Sequence, residues 1–208
     1  MWSCPCARNF PNDLERVAGD PTFYCGPRLV GKNVLLCGTK EGRFPQHCMV
    51  GPHWGCMLST YVLILGPTLA LLIFETGLEH WIASLAVCVT GSAVLFAFSL
   101  TACSDPGIIY RPAGRLQSSV ADPPEDPRDD EMSSAVLCGR CDVKRPRGAI
   151  HCQDCDVCVA KFDHHCPWTG KCIGERNIMF FYIFLGCLLV HVVLVGALLL
   201  VPTLAESL

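Results

Sequence analysis

Three long stretches of this chain carry no charged residue, and they organise everything around them. "GCMLSTYVLILGPTLALLIF" (Gly55 to Phe74) and "WIASLAVCVTGSAVLFAFSLTAC" (Trp81 to Cys103) are free of Asp, Glu, Lys and Arg. The third, Ile178 to Ala205, is equally free of them and holds a single histidine, His191. Each can cross ~30 Å of hydrocarbon as a helix rising ~1.5 Å per residue. Helices that are apolar all round need lipid or a large protein about them, and 208 residues do not supply the second. The pattern predicts an α-helical multi-pass membrane protein, with a hairpin of spans over residues 55–103 and a third transmembrane helix over 178–205.

The intervening segments read differently. Residues 1–54 are rich in Gly and Pro with weak periodicity, which predicts an irregular arm, and no cleaved signal peptide is expected there. Within "SDPGIIYRPAG" the Asp-Pro-Gly marks a turn out of the membrane. Residues 104–137 continue into "ADPPEDPRDDE" (Ala121 to Glu131), an acidic, proline-rich and solvated linker. Residues 138–177 are rich in Cys, His and basic side chains and poor in aliphatic ones. About forty residues of that kind bury too little apolar surface to fold alone, so bound metal must supply the missing stability. Short β-hairpins and loops are the expected form of such a unit. The sequence contains no phosphate-binding glycine loop, GxSxG elbow or solenoid repeat, and no nucleic-acid partner is expected.

Composition adds orientation. The mean hydropathy is +0.38 and the formal net charge −3. Of the 16 basic residues, six precede the first span and ten lie between the second and third, with none in the 75–80 turn or after residue 177. Basic residues favour the cytosolic side, so the arm and residues 104–177 are expected to face the cytosol. Disulfides are disfavoured in the cytosol, and a dense cysteine cluster there points to metal binding or catalysis. Of the 16 cysteines, Cys88, Cys103 and Cys187 in the spans read as small packing residues.

The cysteine-rich segment runs Cys138-x2-Cys141-x9-His151-Cys152-x2-Cys155-x2-Cys158-x4-Asp163-His164-His165-Cys166-x5-Cys172. Two closed tetrahedral zinc sites need eight protein ligands. The six cysteines other than Cys166 and His151 make seven, and either His164 or His165 makes eight. One histidine and one cysteine are left over, with Asp163 beside them. A thiol next to an imidazole, itself next to a carboxylate, is what nucleophilic catalysis uses. Counting alone also allows a structural zinc module with one redundant cysteine. Nearby Lys144, Arg145, Arg147, Lys161, Lys171 and Arg176 read either as a solvated basic face or as contacts to lipid head groups or coenzyme phosphates.

The residues Cys138 to Phe181 resemble the Asp-His-His-Cys (DHHC) cysteine-rich domain of protein S-acyltransferases, the palmitoyltransferases. The likeness rests on "CGRC", "KRPRGAIHCQDCDVC", "FDHHCPW" and "CIGERN", with "SDPG" and "TFYCGPRLVGKN" upstream. It implies a helical membrane enzyme whose two structural zinc ions sit in interleaved sites. One would take Cys138, Cys141, His151 and Cys158, the other Cys152, Cys155, His165 and Cys172. Cys166 matches the acyl-accepting nucleophile, His164 the base and Asp163 its orienting partner. The implied reaction moves a palmitoyl group from palmitoyl-CoA through a Cys166 thioester to membrane-proximal cysteines of substrate proteins. The implied setting is the bilayer of the Golgi, endoplasmic reticulum or plasma membrane, with the active domain facing the cytosol. Two features depart from the family pattern. The family usually has a fourth span and a Thr-Thr-x-Glu motif after it, and it commonly has Asn-Asn where Gly170 and Lys171 stand here. The alternative reading is a catalytically weak relative acting as a membrane scaffold, or a zinc-binding interaction module.

The charge pattern makes one prediction directly. Glycosylation acceptors engineered after residue 205 should be modified, and those in the arm or in residues 138–177 should not. A modified acceptor inside the cysteine-rich segment would invert the orientation.

Overall fold

A computed structural model describes residues 24–38, 42–74, 81–110 and 136–206. The 75–80 turn, the acidic run 121–131 and the first 23 residues lie outside the described residues. The apolar stretches form α1 (Trp54–Phe74), α2 (Trp81–Cys103) and α3 (Ile178–Glu206). Within them Trp54–Ile73, Trp81–Cys103 and Ile178–Leu200 are each long and apolar enough to cross a membrane. Many of their large side chains face outward, among them Leu58, Val62, Val89, Leu189 and Val193, as lipid-facing helices require. Inward, Phe98 is fully buried, with Tyr61 edge-on at 4.7 Å and Phe184 at 5.1 Å between ring centroids.

Deeper along the spans lies a polar node shared by all three helices. His191 is 5 % exposed, with Nε2 3.0 Å from Thr68 Oγ1 and Nδ1 2.9 Å from Thr90 Oγ1. Each of the three lies about 20 Å along its helix from the end nearest the cysteine-rich region, at about 1.5 Å per residue. The Thr68 and Thr90 hydroxyls also lie 2.6 and 2.9 Å from the carbonyls of Ile64 and Ala86 on their own helices, so the threonine facing the ring N–H turns its hydrogen to its own carbonyl and the other donates to the ring. Gly91 makes room, since a Cβ there would lie 3.4 Å from the His191 ring and 3.2 Å from Thr68.

The arm is not irregular throughout. Strands β1 (Tyr24–Val30), β2 (Asn33–Gly38) and β3 (Cys48–Val50) form an antiparallel sheet in that order. Leu29 pairs with Val34 and Val30 with Asn33 across a Gly31–Lys32 turn, with Gly31 at φ +60°. The apolar runs here are too short to give a clear period. What stabilises them is tertiary: Leu35 and Met49 bury against Cys152, Cys155, Val157, Val159 and Cys172. The turn is pressed onto the cysteine-rich region, where the Lys32 N–H donates to the Cys155 carbonyl at 2.8 Å. A Cβ at Gly31 would lie 2.4 Å from that same oxygen, so only glycine fits.

The cysteine-rich region is three hairpins of three-residue strands, as the sequence leads one to expect. They are β4 (Val136–Cys138) with β5 (Val143–Arg145), β6 (Ile150–Cys152) with β7 (Val157–Val159), and β8 (His164–Cys166) with β9 (Lys171–Ile173). Each "CxxCDV" repeat turns through an aspartate in the left-handed region, Asp142 at φ 52° and Asp156 at φ 53°, a conformation Asp tolerates better than most residues.

Two buried side chains join this region to the spans. Asp105, just past α2, accepts N–H bonds from Gly107 (2.7 Å) and Ile108 (2.8 Å) and the Tyr110 hydroxyl (2.9 Å). Residues 104–110 are thus built into the domain and not part of a solvated linker, with Ile109 N–H on the Cys158 carbonyl and Ala160 N–H on that of Gly107. Asn177, just before α3, accepts from Gly174 N–H and donates to the carbonyls of Thr101 and Cys172.

Replacing His191 with Leu should lower stability in detergent by about 0.6 to 1.7 kcal/mol, the range for interhelical hydrogen bonds in membranes. Reversible unfolding by denaturing detergent measures it, and an unchanged midpoint would mean that the node holds nothing together.

Candidate metal and nucleophile site

Strand alternation decides which side chains meet. Neighbouring residues on a strand point to opposite faces, and residues paired across a ladder share a face. On β6, His151 and Cys152 are neighbours, so they serve different clusters. His151 is paired with Cys158 and joins Cys138 and Cys141; Cys152 joins Cys155, His165 and Cys172. On β8, His165 is paired with Cys172 and lies in that second cluster. His164 and Cys166 flank it and belong to the other face. Either histidine satisfied the ligand count; the ladder puts His165, not His164, among the donor atoms of the second cluster.

Each group brings four donor atoms within 4.8 Å of one another and can hold a metal ion. The donor spacing suits zinc. A tetrahedron with bonds of about 2.3 Å to sulfur and about 2.0 Å to nitrogen has N···S edges near ~3.6 Å. His165 Nδ1 lies 3.5, 3.5 and 3.7 Å from the sulfurs of Cys152, Cys155 and Cys172. His151 Nδ1 lies 3.3 and 3.8 Å from those of Cys141 and Cys158. The thiol chemistry points the same way. Burial opposes charge on Cys138, but the N–H groups of Cys141 and Arg140 and neighbouring thiols bring it below a free thiol. Cys152 is lowered by hydrogen bonds from Cys155 and Cys172 and, in addition, by the N–H groups of Cys155 and Asp154. Their partners move oppositely: burial, with Cys138 and Cys141 beside it, pushes Cys158 up, and Cys155 is pushed up to about 12 by Cys152. A cation among the sulfurs would favour the ionised form of all of them.

Cys166 belongs to neither group. It is 8 % exposed and directly precedes the 3-10 turn Pro167–Thr169, whose Thr169 hydroxyl donates to the Cys166 carbonyl at 3.1 Å. On its strand face His164 has Nδ1 2.6 Å from Asp163 Oδ2, which leaves Nε2 free of that bond. The His164 ring stands edge-on to Phe181 of α3 at 5.3 Å. The Trp168 carbonyl accepts from Thr60 on α1 at 3.0 Å, so the turn after Cys166 is pinned to the first span.

The basic residues separate. Lys161 pairs with Glu175 at 2.7 Å, and Arg176 faces Asp105 at 3.9 Å. Arg145 and Arg147 line an open groove with Val136 and Pro146. Lys171 is neither a solvated face nor a head-group contact: it is fully buried, its ammonium donates to the Met49 carbonyl at 2.8 Å, and burial lowers its pKa to about 8. Close by, Cys48 is lowered to about 7 by a hydrogen bond from Cys103 against the cost of burial, with the Lys171 charge helping. Neither Cys48 nor His53, whose Nδ1 lies 2.9 Å from His165 Nε2, was singled out by the sequence. The only signal for His53 is a polar residue in "GPHW" at the head of an apolar run.

Three membrane-capable helices thus carry a cysteine-rich unit with two interleaved four-donor clusters that can each hold a metal ion, and Cys166 stands outside both. Residues 131–206 match the family model for DHHC palmitoyltransferase. These residues are a region of the DHHC palmitoyltransferase type. The chain is 34 % identical over 191 residues to palmitoyltransferase ZDHHC18 of Rattus norvegicus, covering 82 % of this chain and 44 % of that protein. It is 33 % identical over 181 residues to palmitoyltransferase ZDHHC9 of Homo sapiens (76 % and 48 %) and 34 % identical over 195 residues to palmitoyltransferase erf2 of Schizosaccharomyces pombe (86 % and 53 %). The chain thus spans about half the length of these curated relatives.

Elemental analysis of the purified protein should find two zinc ions per chain, falling towards one in Cys141→Ser or in His165→Ala, since each removes a donor from a different cluster. One zinc or none in the unaltered protein would break the allocation.

Proposed function

We propose that this protein is a protein S-acyltransferase that carries a palmitoyl or similar long-chain acyl group on Cys166. The observation that supports this reading is the spare thiol: Cys166 lies outside both donor clusters and shares a strand face with His164, whose Nδ1 is held by Asp163. The DHHC palmitoyltransferase-type region gives the chemistry its direction.

The reaction is a double thioester exchange. His164 takes the Cys166 proton, the thiolate attacks the carbonyl carbon of palmitoyl-CoA, the carbon–sulfur bond to CoA breaks, and CoA leaves with that proton. The thiol of a substrate cysteine then attacks the Cys166 thioester, His164 accepts the proton of that thiol, and Cys166 is released. Asp163 fixes the ring so that Nε2 faces the reaction, and it offsets the charge the ring acquires. Both bonds exchanged are thioesters, so the chemistry is near balance, and the protein's part is to supply thiolate and position. The zinc ions hold the strands and take no step.

The membrane provides the donor. With its following turn pinned to α1, Cys166 lies at the end of the spans, where a fatty chain can stay among apolar side chains. That burial is worth about 0.8 kcal/mol per CH₂. Arg145 and Arg147, which line an open groove of the same region, are the basic side chains we assign to the anionic groups of the coenzyme. Substrate proteins present cysteines close to the same membrane surface. The setting is a Golgi, endoplasmic reticulum or plasma membrane, with the cysteine-rich region in the cytosol.

The test is incubation with labelled palmitoyl-CoA, reading hydroxylamine-sensitive label and zinc together. Cys166→Ser should keep two zinc ions and lose the label, because a serine alkoxide is scarce near pH 7. His164→Ala should keep zinc and slow labelling or transfer by about 10²- to 10⁴-fold, the usual contribution of a general base. Zinc lost from Cys166→Ser would make that cysteine a ligand and end the enzyme reading of this site. Label retained in that variant would assign the acyl group to another cysteine.

A further inference from the structure

The two donor clusters differ in what stands behind their histidines. A metal-bound imidazole is usually oriented by a hydrogen bond from its other ring nitrogen. Behind His151 stands Asp156, a residue of the same region, with its carboxylate 3.6 Å from Nε2. Behind His165 stands His53, from outside the cysteine-rich region and one residue before α1. Its Nδ1 lies 2.9 Å from His165 Nε2, with the rings edge-on at 4.9 Å and 68° between their planes.

Hydrogen counting fixes the direction of this bond. His165 turns Nδ1 to the three sulfurs of its cluster, so a ligating ring carries its proton on Nε2. That N–H donates, and His53 Nδ1 accepts. The backbone of His53 is held as firmly as its ring. Its N–H donates to the Gly170 carbonyl at 3.2 Å, and its carbonyl accepts the Met57 N–H in the first turn of α1. Two residues back, a Cβ on Gly51 would lie 2.1 Å from the Gly170 oxygen, and further back Met49 receives Lys171. Residues 49–53 are therefore a strap laid along the β8–β9 hairpin, with His53 at the end where the strap becomes membrane helix.

We propose that His53 is a positioning residue for the second metal site. It accepts the Nε2–H of His165, fixes that ring for ligation, and so ties metal retention on β8 to the mouth of the first span. Cys166 is the next residue on β8, so the thiol's place relative to the bilayer depends on the same bond. This rests on the reading of the second cluster as a zinc site and does not depend on acyl transfer.

The test uses the full chain in detergent micelles and follows zinc release to a colorimetric chelator. His53→Ala and His53→Phe both remove the acceptor, and Phe keeps most of the ring. Each should weaken the affinity for one of the two zinc ions by about 10- to 100-fold, the usual effect of losing such a partner, so that this ion is released faster while the other leaves at the unaltered rate. His53→Asn places Oδ1 where Nδ1 stood and should restore slow release. Phe releasing like the unaltered protein would mean that the ring only packs, and would overturn the proposal. So would Asn releasing as fast as Ala, or both ions leaving together in every variant. Acyl label is read in the same samples: its absence from the unaltered protein would sink the transferase reading and leave the zinc comparison to decide this one.

Discussion

A strand of three residues buries too little to hold its place, and six such strands carry most of the donors of this protein's cysteine-rich region. What fixes them is the strict alternation of strand faces applied to two clusters at once. Because His151 and Cys152 are neighbours on β6, that strand is committed to both clusters, and neither can be built without positioning part of the other. Interleaving turns short, weak hairpins into one body. It also accounts for the thiol left over: once His165 and Cys172 face the second cluster, Cys166 is obliged to face away from it.

That body is joined to the spans by buried polar side chains. Asp105 closes the turn after α2, and Asn177 reaches from the start of α3 to the ends of α2 and β9. On the other side the strap 49–53 lies along β8–β9, and Lys171 crosses to it with an ammonium buried on one carbonyl. Leaving any of these groups unpaired would cost about 1–3 kcal/mol of desolvation, which makes the join specific in register. The proposed nucleophile thus gains its fixed height above the bilayer from contacts it does not itself make.

Much of this was legible in the sequence because it follows from composition or counting. Charge-free runs of twenty or more residues have one economical home, and eight donors at CxxC spacing have one common use. The choice between His164 and His165 was not legible from spacing, since adjacent residues fit a ligand count equally well, and the pairing of His165 with Cys172 supplied what spacing lacked. The β1–β3 sheet was hidden for a different reason: its strands are held from outside, by Cys155 and its neighbours, so no local period announces them. Lys171 reads from sequence either as a charge stabilising a thiolate or as an exposed side chain, and its burial excludes the second. The strap that covers it comes into view only in the fold.

The polar node among the spans treats its three helices unequally. Thr68 and Thr90 can each turn a hydroxyl to a carbonyl of their own helix, those of Ile64 and Ala86. The first two spans can therefore enter the bilayer and wait there with no polar group stranded. His191 has no such refuge on α3, and hydrocarbon offers an imidazole no partner. The third helix is the one that must search, and only one rotation about its axis brings that ring to both hydroxyls. Since α3 follows directly on the cysteine-rich region, finding that rotation also sets how the ligand-bearing hairpins meet the membrane. A residue about 20 Å along its helix from the cysteine-rich region thereby acts as the alignment key for a site it never touches.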